Sequence, residues 1–318
     1  MKNKEKNGII IYVKLGGIFL KKYIKYIAIA SIIVIIVVIA VLANSRKSED
    51  NNHDESFKMV TSFYPIYIMA ENITEGASHI ELINMADTNV GCIHNYTINT
   101  ADMKKLENAD VFIQNGLGLE SFTDKIISSN KGLQVIDSSK NIPELIQEED
   151  ETNPHIWTSV SNYIVQVENI ARELQEKNPE NAKLYAKNAK TYIQKLNKLK
   201  SNYDTELQDL KGEGAVSLNE SFEYLGKELG LNLITIHTSH EESALSAETL
   251  KNVINTVKQN HIKMIIIDMN DDPKNAQTIA NETGAEIYRL DSGLTGSLEK
   301  EAYIKSMNSN LEILKNIK

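Results

Sequence analysis

The chain has 318 residues, 42% hydrophobic and 24% charged, with 43 Asp and Glu against 34 Lys and Arg. That length accommodates two domains of ordinary size. The acid excess argues against a nucleic-acid partner, whose recognition rests on cationic contacts to phosphate, and the single cysteine, Cys92, excludes an internal disulfide.

Residues 1–25 form a basic segment, with seven lysines against Glu5. Residues 26–43, "YIAIASIIVIIVVIAVLA", carry no charge over 18 positions. A membrane span needs about 20 apolar residues, so the stretch reads as a single-pass anchor. The lysines before it place the N-terminus in the cytoplasm and the rest outside. A cleaved signal is the alternative, with "VLA" before Asn44 as the cleavage site. Residues 44–57 are polar and aperiodic, a linker. Beyond it, residues 58–318 hold 25 basic and 38 acidic side chains, a net of −13.

From there strands alternate with helices. Strands are predicted at 58–63, 81–86, 110–114 and 133–137, and helices at 65–74, 100–108 and 119–129. Such alternation implies right-handed crossovers and a parallel sheet. Residues 161–210 are helical, with Ile164, Val167, Ile170, Ala171 and Leu174 on one face. "NPEN" at 178–181 marks a restart, and Leu184, Tyr185, Ala189, Tyr192, Ile193 and Leu196 share the next face. Alternation then resumes, with strands at 214–218, 232–237, 262–269 and 286–291. Helices are expected at 221–229, 246–259, 273–282 and 300–317. The fold class is α/β. Two lobes, 58–160 and 211–318, each hold a parallel sheet flanked by helices, and a long helical connector, 161–210, joins them. Ligands of open α/β sheets sit off the carboxyl ends of the strands, so the cleft between the lobes is the place to look.

His94 follows the second strand and His155, in "NPHIW", follows the fourth. Asn219 and Glu220 come directly after the strand "AVSL", and Asp291 ends the last strand. Two imidazoles from one lobe and one or two oxygens from the other suit a borderline divalent ion such as zinc or manganese. Each residue also has a plainer reading. A loop histidine can be a surface turn. Asp291 can be a turn or cap residue, and Asn219 can cap the helix that follows. His237 and His240 lie three apart after a second-lobe strand, as an alternative ligand or a solvated loop. Cys92 is either a further donor or an inert thiol.

The stretches "VTSFYPIYIMAENI", "HNYTINTADMKKLENADVFIQNGLGLE", "NPHIW", "NPENAKLYAKNAKTYIQKLNKL" and "ANETGAEIYRLDSG" resemble the substrate-binding proteins of zinc- and manganese-type ABC importers, a family that includes surface adhesins. The resemblance covers residues 58–318. It implies two lobes joined by a rigid helix, with the metal between them. It also implies His94 and His155 as the first two ligands, position 219 as the third and Asp291 as the last.

The chain departs from the family where Ile93 replaces a proline before the first histidine, and where Thr97 and Ile98 replace Glu-Pro after it. The third ligand, usually histidine or glutamate, is the neutral amide of Asn219. Three readings stay open. Glu220 swings in, or a three-ligand site remains with water as the fourth donor, or the site has decayed. The stretch "IQEEDETN" is acidic but lacks the histidines that zinc importers often carry there, which removes one argument for zinc.

The function implied is capture of zinc or manganese outside the cell, as a monomeric ectodomain, and delivery to an ABC permease in the membrane. Family members hang from a lipidated cysteine. None occurs near this N-terminus, so a protein anchor would replace the lipid. The alternative is a binding or adhesion module of the same fold. A metallohydrolase would need an open metal position and a base, and no His-Glu-x-x-His or Gly-x-Ser-x-Gly pattern occurs. No enzymatic activity and no catalytic cofactor are expected.

Overall fold

The computed structural model describes residues 56–88, 93–94, 96–148, 151–236 and 245–317. The anchor candidate 26–43, Cys92, His237 and His240 lie outside these residues. Ser56–Lys318 form one compact unit. Among the described residues no helix is long and apolar enough to cross a membrane.

In the first lobe β1 (Phe57–Thr61), α1 (Tyr64–Thr74), β2 (Ile80–Asn84), α2 (Thr100–Leu106), β3 (Val111–Gln114), α3 (Asp124–Ser129) and β4 (Gln134–Asp137) follow one another. Their strands form a parallel sheet in the order β2-β1-β3-β4. A two-stranded antiparallel ribbon, β5 (Gln147–Glu148) and β6 (Glu151–Thr152), comes next. Two residues per strand are too few to leave an alternation signal in the sequence.

The second lobe repeats the wiring. It holds β7 (Gly214–Ser217), α6 (Glu223–Leu229), β8 (Asn232–Thr235), α7 (Ala247–Gln259), β9 (Met264–Asp268), α8 (Lys274–Thr283) and β10 (Glu286–Leu290). The sheet order is β10-β9-β7-β8, again parallel. In both lobes the first strand lies inside its sheet and the chain winds outward both ways. Loops leaving the two central strands then diverge and open a crevice. β9, "MIIID", is buried along its whole length, as a parallel strand covered on both faces requires.

The connector is α4 (Val160–Lys177) and α5 (Ala182–Glu206). At 25 residues, α5 reaches about 37 Å, shorter than a helix continuing to 210 because Gln208–Leu210 form a separate 3₁₀ turn. Tyr185, Ala189, Tyr192, Leu196, Leu199 and Tyr203 are its buried residues, at alternating steps of four and three. That spacing makes one apolar stripe. The stripe packs on α1 of the first lobe and on α9 (Ala302–Leu314) of the second. One hydrophobic cluster therefore runs from Met59 and Ile66 through Tyr163 and Leu196 to Met307 and Leu311.

Two helices start differently from expectation. The segments at 119–129 and 221–229 each open with a 3₁₀ turn, Ser121–Thr123 and Glu220–Phe222. In the second, the Asn219 side chain accepts from the Ser221 backbone N–H, only two residues on, which tightens the first turn.

Candidate metal centre

His94 is set by anchors on either side. Ile93 is 1% exposed and inserted in the main core, so the departure from proline supplies an apolar plug. Tyr96 donates its backbone N–H to Ile93 O at 2.9 Å and its hydroxyl to Asp102 Oδ2 at 2.7 Å. Asp102 in turn closes a capping box with Asn99 at the start of α2. Burial and the Asp102 charge push the Tyr96 hydroxyl far above its usual range, so it stays a donor.

His155 is fully buried. Asn115 Nδ2 donates to Pro154 O at 2.9 Å, and Thr158 Oγ1 donates to His155 O at 2.9 Å. Trp157 lies beside it with ring centroids 5.2 Å apart. The indole packs edge-on to Phe63 at 5.0 Å and donates Nε1–H to Ser292 O at 2.9 Å, across to the second lobe. Asn153 Oδ1 lies 2.9 Å from His155 Nδ1 and accepts the His155 backbone N–H at the same distance.

Below Asn115 sits a buried acid. Glu120 accepts from Asn115 N at 2.7 Å and Gly116 N at 3.1 Å. Burial is the largest influence on it and lifts its carboxyl to about 7, against the pull of those N–H groups.

The second lobe contributes Glu220, whose side chain is 19% exposed, like the 20% of His94. Glu220 Oε1 stands 3.9 Å from His94 Nε2, and the two imidazole centroids are 5.1 Å apart. One ligand-capable atom from each of His94, His155 and Glu220 lies within 4.8 Å of the other two. Donors bound to one tetrahedral zinc at 2.0–2.1 Å would stand about 3.4 Å apart, so gathering these three needs a contraction of well under 2 Å.

Two further expected residues, Asn219 and Asp291, are held by other partners in this structure. Asn219 plays the capping role. Its Oδ1 accepts from Ser221 N at 2.9 Å, and its Nδ2 donates to Asp271 Oδ2 at 3.2 Å. Asp291 is not in the three-residue group. Its Oδ1 accepts from Gly293 N at 2.8 Å and its Oδ2 from Ser306 Oγ at 2.5 Å. It remains close enough to act on Tyr64, whose hydroxyl is pushed up to about 12 by burial first and the charges of Asp291 and Glu299 second. Sequence reasoning overlooked Asn153. Its signal was the amide two residues before His155, a spacing that lets an Asx side chain reach the backbone N–H two positions on.

Two α/β lobes of matching topology, with two histidines and a glutamate brought together where they meet, define a bilobal α/β protein with a candidate metal centre between its lobes. The family model "Zinc-uptake complex component A periplasmic" matches residues 59–317, and the chain belongs to that family. It is 30% identical over 288 residues to the zinc-binding protein AdcA of Streptococcus pyogenes, covering 81% of this chain and 55% of AdcA. The chain thus spans about half the length of those relatives. It is 29% identical over 274 residues to the manganese-binding lipoprotein MntA of Halalkalibacterium halodurans, covering 83% of this chain and 88% of MntA. The solved FpvC of Pseudomonas aeruginosa, in complex with Mn²⁺, superposes with TM-score 0.73 at 26% identity, over 82% of this chain and 97% of FpvC.

Proposed function

We propose that the protein captures a divalent transition-metal ion outside the membrane, between its lobes, and hands it to an ABC permease. The observation that carries this reading is the approach of His94, His155 and Glu220 from opposite lobes to within one ion's reach. The resemblance to zinc- and manganese-binding proteins supports it. The ion is cargo, and no covalent step is required of the protein.

Two neutral imidazoles and one carboxylate carry a charge of −1 and leave a fourth position open. Asp291 would fill it by releasing Ser306, which would make the loaded site neutral. A set of two nitrogens and two oxygens binds zinc more tightly than manganese, in the general order of divalent affinities at N/O sites. The core shared along α5 limits the lobes to small adjustments on loading. Residues 26–43 would serve as the membrane tether, with the lobes on the outer side.

The test is calorimetric titration of the purified, chelator-stripped protein with zinc and manganese separately. One-to-one binding, tighter for zinc and abolished by His94→Ala with His155→Ala, is expected. Binding of neither ion would refute metal capture.

A further inference from the structure

We propose that Glu223, acting through Asn153, is a positioning residue for His155, so that the second lobe decides which nitrogen of a first-lobe histidine faces the ion. This rests on the metal-capture reading and deepens it.

The polarity of the contact follows from donors and acceptors. The His155 backbone N–H lies 2.9 Å from one side-chain atom of Asn153. A backbone N–H only donates, so that atom is the amide oxygen. The same oxygen is 2.9 Å from His155 Nδ1. An amide oxygen only accepts, so Nδ1 carries the ring proton. A neutral imidazole holds one such proton, and Nε2 is left with its lone pair for a cation.

The other end of the amide is gripped from the second lobe. Asn153 Nδ2 donates to Glu223 Oε2 at 3.0 Å and to Glu220 O at 3.3 Å. Tyr224 donates its hydroxyl to Asn153 O at 2.9 Å. Asn153 itself is 1% exposed, so no bulk water competes. Glu223 follows Glu220 by three residues, and the two share one turn. The turn that brings Glu220 to the histidines therefore also aims His155.

The arrangement has a chemical consequence. When Nε2 gives its lone pair to a cation, Nδ1–H becomes a stronger donor. The amide passes that polarisation on to the Glu223 carboxylate. The negative charge thus supports the bound ion from one hydrogen bond further out than a carboxylate set directly on Nδ1. Glu223 raises affinity without touching the metal.

The test reads the tautomer of His155 by ¹⁵N NMR in the metal-free protein near pH ~8, where an ordinary imidazole is neutral. Zinc affinity is read separately by competition titration. The wild type is expected to show the Nδ1–H form. Glu223→Ala should shift His155 toward the Nε2–H form and weaken zinc by about tenfold or more. Glu223→Gln keeps an acceptor for Asn153, so the tautomer should hold while affinity falls less. Asn153→Asp with Glu223→Gln puts a carboxylate on Nδ1 with a donor behind it, and should bind zinc more tightly than wild type. An Nε2–H tautomer in the wild type, or Glu223→Ala leaving both readouts unchanged, overturns the proposal. A zinc loss in Glu223→Ala without a tautomer shift also overturns it, because the effect would then be charge alone. A protein that shows the Nδ1–H form but binds no ion would sink metal capture and leave the positioning intact.

Discussion

Changing Asn219 and Glu220 to alanine, one at a time, separates a cap from a ligand at adjacent positions. Asn219→Ala removes the bond to Ser221 N at 2.9 Å and the donor to Asp271 at 3.2 Å. Loss of an N-cap costs about 1 kcal/mol, and loss of a partner by a half-buried carboxyl adds up to about 1 kcal/mol. Burial holds the Asp271 carboxyl above its usual range, and the Asn219 donor pulls against that shift. Stability should fall by about 1–2 kcal/mol in a urea titration, with zinc affinity nearly unchanged. Glu220→Ala removes the carboxylate 3.9 Å from His94 Nε2. A unit charge about 2.1 Å from a divalent ion contributes about 4 kcal/mol even at the dielectric of water. That is about three decades in affinity, and water in the vacated position returns part of it. A loss of about two decades is expected in a competition titration, with stability little changed. If Asn219→Ala lost two decades while Glu220→Ala bound as wild type, the assignment of ligand and cap would be refuted.

Glu228 accepts Val160 N at 2.7 Å and Ser161 N at 2.9 Å, which seats the N-terminus of α4 on the second lobe. Glu228→Ala should cost about 2–3 kcal/mol and lower the thermal midpoint by about 5–10 °C, with Glu228→Gln recovering part of the loss. An unchanged midpoint would show that water replaces the carboxylate there. Glu120 gives stability a pH dependence. Its folded value, about 7, lies above the ordinary 4.5, so the folded state holds more protons across that window. The contribution is full below about pH 4.5 and is lost as pH rises through 7. The stability of wild type relative to Glu120→Gln should therefore fall by on the order of 2 kcal/mol from about pH 5 to 8. A difference flat in pH would contradict the burial argument.

Much of the architecture was legible in the chain itself. Strand runs such as "MIIID" and the stripe of Tyr185, Tyr192 and Leu196 encode their elements through neighbours two to four residues away. The placement of His94 and His155 in the connections that follow β2 and β4 was read from the same local pattern. Which oxygen donor joins them did not. Asn219 and Glu220 differ by one position, and a 3₁₀ turn decides which of them faces the histidines. That turn is tied to Asp271, 52 residues away. Asp291 is held by Ser306 from the next helix, and Asn153 by Glu223 from the opposite lobe. Local periodicity determines elements and faces. The direction of a single side chain at a strand end depends on partners that only the folded chain brings within 3 Å.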